Sequence, residues 1–297
     1  MKKYNMITTY ILAILVALFF LAPVSWLVSS SFQQEKELLS VPSVFLTKKP
    51  TVENYKKLLF PQSFATSSAE GVNKVRTYSI PHEARLFAGS LGNSFIVSVS
   101  TTLVCLFFGT LAAYSVTRLR YRGRKIFMFG IMGSRMVPGL VLVVPFFIIA
   151  NKIGGIDKKS WLILVYCSFS LPYIFWILKG FFETIPVELE DAARIDGCTR
   201  LQTIWKIIFP VILPGMVASG IFAFMQTWNE FFYALILTNS SRAFTVPVIT
   251  GMFATEVDID YSLLITSGVL SMLPPILFTF IFQKYIIAGL TSGGVKG

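Results

Sequence analysis

Charge is scarce in this sequence. Of 297 residues only 14% are charged, against roughly 25% in an average soluble domain. There is one histidine, His82, and there are three cysteines. Zinc needs three or four clustered ligands, so His82 reads as a solvated or structural residue. Cys105 and Cys167 fall in apolar runs and Cys198 in a polar connection, so no disulfide framework is implied. Acids are fewer than cations, 15 against 26, for a net charge of +11. In a soluble protein that excess would suggest nucleic acid. The chain also lacks a G-x-x-x-x-G-K-[ST] phosphate loop, an H-E-x-x-H, a G-x-S-x-G and a G-x-G-x-x-G following a strand. It is not expected to hydrolyse ATP itself, and no cofactor is expected in it.

What the chain has in excess is apolar length. Hydrophobic residues make up 54% and aromatics 15%, with 28 Phe. A spanning helix needs about 20 predominantly apolar residues. Six runs meet or approach this, giving an all-helical membrane protein of one domain over 1–297, with spans at about 7–31, 89–117, 126–150, 160–180, 208–238 and 262–284. The third run is interrupted only by Arg135 and the fifth only by Glu230. The first run exceeds the 7–15 apolar residues of a signal peptide and no A-x-A-like site follows it, so it is expected to remain as an anchor.

Orientation follows from cations close to the spans. Arg118 to Lys125 holds five cations in eight residues and no acid, which places this loop and both termini in the cytoplasm. The +11 then reports membrane orientation and contact with lipid, with no nucleic acid partner. Residues 32–88 become the external loop, broken by Pro42, Pro50, Pro61 and Pro81, and large enough to dock a soluble partner. Residues 181–207 become a cytoplasmic loop. Ser94, Ser98, Thr101, Thr102, Gly109, Ala112 and Ala113 in the second span suit close helix packing.

The 181–207 loop is the most informative segment. Pro186 suits a first helical turn, and Glu188, Glu190 and Asp191 lie where the macrodipole favours acids. Leu189, Ala192 and Ala193 share one narrow face. Gly197 suits a left-handed cap, and Thr199 with Gln202 reads as a capping box opening the next helix. The expected product is a short helix of about ten residues, ~15 Å long, beneath the membrane. It serves either as a link between spans or as a small-residue face seated in a groove of another protein.

At these residues the chain resembles a family. Glu190-Asp191-Ala192-Ala193-Arg194-Ile195-Asp196-Gly197, then nine residues, then Ile207-Ile208-Phe209-Pro210, is similar to the E-A-A-x-x-x-G-x9-I-x-L-P loop of binding-protein-dependent ABC importer permeases. Asp191 stands for the usual Glu and Phe209 for the usual Leu. Lys49 to Lys57, Asn93-Ser94, Trp228-Asn229-Glu230-Phe231 and the ending Leu290 to Gly297 are similar to the carbohydrate, maltose-type branch. The resemblance implies a type I permease bundle in a bacterial inner membrane, paired with a homologous second permease subunit. It further implies two ATP-binding subunits that hold ATP and magnesium, an extracytoplasmic solute-binding protein, and a carbohydrate solute. The ATPase-coupling residues would be Glu190, Asp191, Ala192, Ala193, Arg194, Asp196 and Gly197.

Charges inside spans cost at least about 2.5–3.5 kcal/mol and need partners or water. Gln226, Trp228, Asn229 and Glu230 are read as lining the solute path, since aromatic and amide groups suit a sugar. Arg135 is read as structural. The rival is an ion-coupled secondary transporter using Glu230 and Arg135 as a relay, which should show an internal repeat and helices broken in matching halves. The sequence displays neither. A membrane-embedded hydrolase is disfavoured by the missing nucleophile and metal clusters.

Overall fold

The computed structural model describes residues 3–42, 44–47, 49–62, 81–254 and 259–292. Among them the regular structure is helical, with one isolated bridge between Ala254 and Ile259. Five helices are long and apolar enough to cross a membrane: Met6–Ser31, His82–Arg118, Lys159–Thr184, Arg200–Trp228 and Tyr261–Tyr285. A sixth span exists if the pair Arg124–Ser134 and Gly139–Lys152 counts as one. The chain divides into two compact units, 1–90 with 248–273 and 91–247 with 274–297.

In the first unit, the anchor helix Lys3–Ser31 carries apolar side chains all round, and none of its most apolar window is buried. Such a helix is solvated by lipid or by another chain. Its end is fixed by short polar contacts. The Asn54 amide donates to the Ser31 and Gln33 carbonyls at 3.2 and 3.0 Å, and a hydrogen bond of 2.6 Å joins Ser31 Oγ and Tyr55 Oη. These satisfy carbonyls that the last helical turn leaves open. They also order the connection through the short helix Glu53–Leu59. Residues 63–80 of the external loop lie outside the described residues.

The second unit is built on the Lys159–Thr184 and Phe209–Trp228 helices, which pack along each other, with the His82–Arg118 helix against them. Its core joins Cys105, Ala113 and Val116 to Ile174, Phe175 and Leu178 and to Ile208, Ile212 and Ala223, and Cys167 packs on the same cluster. Small residues permit the close approach. A Cβ added at Gly215 would lie 2.6–2.8 Å from three carbons of the Phe181 ring, and one at Gly109 would lie 2.7 Å from Ile174 Cγ2. Gly215→Ala should therefore destabilise the protein by about 1–3 kcal/mol through overpacking. Gly180→Ala, with nothing within 4 Å of the added carbon, is the control and should not. Thermal unfolding of both variants in detergent checks the difference.

Two spans depart from the unbroken runs read from hydropathy. The third is two half-helices bent by 95° across Arg135–Pro138. Pro138 has no N–H to donate to Ser134 and drives Val137 out of helical geometry, so the first half ends at Ser134 and the second starts at Gly139. The fifth is entered from the helix that the Thr199 and Gln202 capping box opens, with Arg200–Thr203 running through a π-helical turn, Ile204–Ile208, into Phe209–Trp228. It stops at Trp228 and restarts as Phe232–Leu237.

Candidate functional site

The 188–197 segment folds as its local signals require, with a register of its own. The helix is Glu188–Ile195, eight residues, and Pro186 precedes the Val187 cap instead of occupying the first turn. Glu188, Glu190 and Asp191 occupy the first turn and Arg194 the last. Gly197 has φ +82°. The Gly197 N–H donates to the Arg194 carbonyl at 3.0 Å and the Cys198 N–H to the Ala193 carbonyl at 2.9 Å. That pair of bonds is a Schellman cap, and it needs the left-handed glycine. The capping box follows: Gln202 N–H donates to Thr199 Oγ1, and Thr199 N–H donates to Gln202 Oε1. Two caps back to back hold the helix at a fixed angle to the span that follows.

The faces are not those expected from spacing. Glu190 and Ala193 turn inward, 3% and 5% exposed, while Leu189 and Ala192 turn outward. Glu190 accepts from Arg118 Nε at 2.6 Å and from Tyr114 Oη at 3.0 Å, and the Arg118 guanidinium also donates to the Ile185 carbonyl at 2.7 Å. Tyr114 and Arg118 lie one turn apart on the His82–Arg118 helix. A buried charge pair with its hydrogen bonds filled fixes the short helix to that long one. Asp191 and Arg194 pair at 3.6 Å in the open, a contact worth little, and Asp196 and Gly197 are exposed. Spacing also missed how apolar the outer face is. Val187, Leu189, Ile195, Leu201 and Trp205 are all 42–86% exposed. Uncovered apolar side chains on a short helix flanked by spans mark an interaction surface. They could have been found by asking why a polar loop carries Ile195 and Trp205.

At the other site, the two broken spans meet. Glu230 does not stand free. Its carboxylate accepts from the Tyr233 and Ala234 N–H groups at 3.0 and 3.1 Å and from Tyr166 Oη at 2.7 Å. It thus supplies the acceptors that the first turn of Phe232–Leu237 lacks. Tyr233 Oη donates to the Gly139 carbonyl at 2.7 Å, tying the restart of the fifth span to the restart of the third. Phe169 stacks on Tyr233 at 5.8 Å, and its carbonyl accepts from the Arg135 guanidinium at 3.2 Å. Arg135 also lies over the Tyr173 ring at 5.7 Å. Arg135 and Glu230 are not an ion pair, so a direct relay between them has no contact to use. Of the other expected path residues, Gln226 is exposed in the last turn of the helix, and Asn229, exposed at its C-cap, donates its amide back to the Met225 carbonyl at 2.9 Å. Trp228 is 2% exposed and stacks on Phe224 at 5.6 Å, so it supports these residues from behind.

The chain matches known proteins in sequence and in fold. Residues 105–292 match the family of binding-protein-dependent transport system inner membrane components. The chain is 33% identical over 286 residues to the trehalose/maltose transport system permease protein MalG of Thermococcus litoralis, covering 96% of this chain and 95% of that one. It is 34% identical over 275 residues to the trehalose transport system permease protein SugB of Mycobacterium tuberculosis, covering 92% and 97%. In fold it resembles a chain of a bacterial ABC transporter involved in import of the acidic polysaccharide alginate, with a TM-score of 0.71 at 20% identity over 96% of this chain and 98% of that one. The chain belongs to the binding-protein-dependent transport system inner membrane components, the multi-pass permease subunits of ABC importers, which have the type I permease fold and are not themselves enzymes.

Proposed function

We propose that this chain is the second of two homologous permease subunits in an ATP-driven importer of a sugar, oligosaccharide or related carbohydrate handed over by a solute-binding protein. Two ATP-binding subunits hold ATP and magnesium on the cytoplasmic side. Both termini, the Arg118 to Lys125 loop and the 188–195 helix face that side. The observation that carries the reading is the outward stripe Leu189, Ala192 and Ile195 on a helix capped at its C-terminal end and clamped from within by Arg118 and Tyr114. Such a helix can enter a groove of an ATPase and pass its movement to the bundle without bending. Gln226 and Asn229 offer amides to solute hydroxyls, Trp228 backs them, and Glu230 holds the break that exposes them. Carbohydrate as the solute is supported by the trehalose and maltose permeases among the relatives.

The test separates the two alanines. In the complex co-expressed with its ATPase and binding protein, Ala192→Trp should abolish solute-stimulated ATP hydrolysis and uptake while the permease unfolds at its normal temperature. Ala193→Trp should lower that temperature, because Ala193 is packed inside. Normal uptake in Ala192→Trp would refute the docking role, and a panel of sugars measured with the wild-type complex identifies the solute.

A further inference from the structure

The segment after Arg118 carries a feature that coupling and translocation leave unused. Arg120, Tyr121, Arg122, Arg124, Lys125 and Ile126 line an open basin of about 600 Å³. Arg118, next to it in sequence, is already engaged by Glu190 and the Ile185 carbonyl. The four cations of the basin form no ion pair with any described carboxylate. Arg124 Nε is shut off from water and has no acceptor. The helix Arg124–Ser134 starts from Gly123 at φ +93°, with no acid in its first turn and no side chain capping its N–H groups. Orientation rules account for the cations, but not for a concave basin or a buried donor without an acceptor.

Four unpaired cations and several open N–H groups call for one anion with many acceptor oxygens, a phosphate. The neighbouring surface is apolar. Tyr121, Ile126, Phe129 and Met132 are 41%, 78%, 71% and 55% exposed, the last three along the half-helix that leads from the basin into the span. A free phosphate would leave these side chains uncovered, whereas a phospholipid covers both regions at once.

We propose that residues 120–126 bind the headgroup of an anionic phospholipid, whose acyl chains lie along Ile126, Phe129 and Met132. The lipid then holds the strand of chain between the Arg118 clamp and the bent third span.

The test uses the purified full-length chain in neutral detergent, with native mass spectrometry and a photoreactive phosphatidylglycerol as probes. Phosphatidylglycerol should bind, phosphatidylcholine should not compete, and crosslinks should map to residues 120–132. The triple variant Arg120→Gln, Arg122→Gln, Lys125→Gln should bind about 100-fold more weakly, each cation near an anionic lipid contributing about fivefold. Arg120→Lys with Arg122→Lys, which keeps the charge and the orientation signal, should retain binding. Full displacement by millimolar inorganic phosphate would make this a free-anion site and overturn the lipid assignment. Equal binding of phosphatidylcholine, or crosslinks confined to other segments of the wild-type chain, would overturn it too, and the crosslinking result is independent of how any variant folds.

Discussion

Glu190→Ala should uncouple the transporter and loosen the permease at once. The substitution leaves the Arg118 guanidinium, whose side chain is only 8% exposed, without its charge partner. Removing one member of a buried pair typically costs about 3–5 kcal/mol, because the remaining charge is stranded away from water. Tyr114 Oη loses its acceptor as well. The short helix would then be held only by its C-terminal cap and the packing of Ala193, so basal ATP hydrolysis should persist while solute stimulation and uptake are lost. Glu190→Gln keeps the shape and one acceptor oxygen and should fall between the two. Combining Glu190→Leu with Arg118→Met removes both charges and should recover much of the stability but little of the coupling. Thermal unfolding together with ATPase and uptake assays reads each quantity separately. A Glu190→Ala permease as stable as the wild type would refute the clamp.

The second large effect is expected at Glu230. The carboxylate serves three donors, so Glu230→Ala leaves two N–H groups of the Phe232–Leu237 helix and the Tyr166 hydroxyl without acceptors. A lost helix cap together with a buried unsatisfied donor is worth about 2–3 kcal/mol. Glu230→Gln fits the space but turns an NH2 toward a donor, and uptake should fall about tenfold, as expected for a loss of about 1–2 kcal/mol. Tyr166→Phe deletes one of the three bonds and should cost about 1 kcal/mol. Labelling with a hydrophilic thiol reagent, after removal of Cys105, Cys167 and Cys198, gives an independent readout. Cysteines at 226 and 229 should react and one at 228 should not, following the exposure of the native residues. Wild-type uptake by Glu230→Gln, or labelling at 228 as strong as at 226, would show that another face lines the solute path.

The parts of this molecule that could be read from the sequence are those whose causes are local. Gly197 and the pair Thr199 and Gln202 announce their caps within a few residues, and the structure has both. The partner of Glu190 lies 72 residues away on another helix, and no spacing rule links them. The inward turn of Ala193 has the same origin, because the helix rolls until Glu190 meets Arg118. Pro138 did give a signal, but averaging hydropathy over some twenty residues hides a break that one proline makes. Gln226, Trp228, Asn229 and Glu230 share a polar and aromatic character in the sequence. Only the helical phase, set by packing against the Lys159–Thr184 helix, separates the buried Trp228 from its exposed neighbours.

The π-helical turn at Ile204–Ile208 gives this connection one residue to spare. A π-turn accommodates one residue more than an α-turn over the same rise, so deleting any one of its five residues would let the chain close into a regular α-helix. The core residues Ile208, Ile212 and Phe224 would hold the downstream span where it is. Everything upstream, from Thr203 back through Gly197 to Glu190, would keep its height and its phase, because the residue lost is the one that the π-turn had taken up. Glu190, 2.6 Å from Arg118 Nε, would stay in reach, whereas a second deletion, with no π-turn left to absorb it, would swing the upstream part by about 100° around the helix axis and draw it in by about 1.5 Å. A single-codon deletion in this turn should therefore leave coupling largely intact, while a deletion of two codons should shift the phase of the coupling helix and silence the permease.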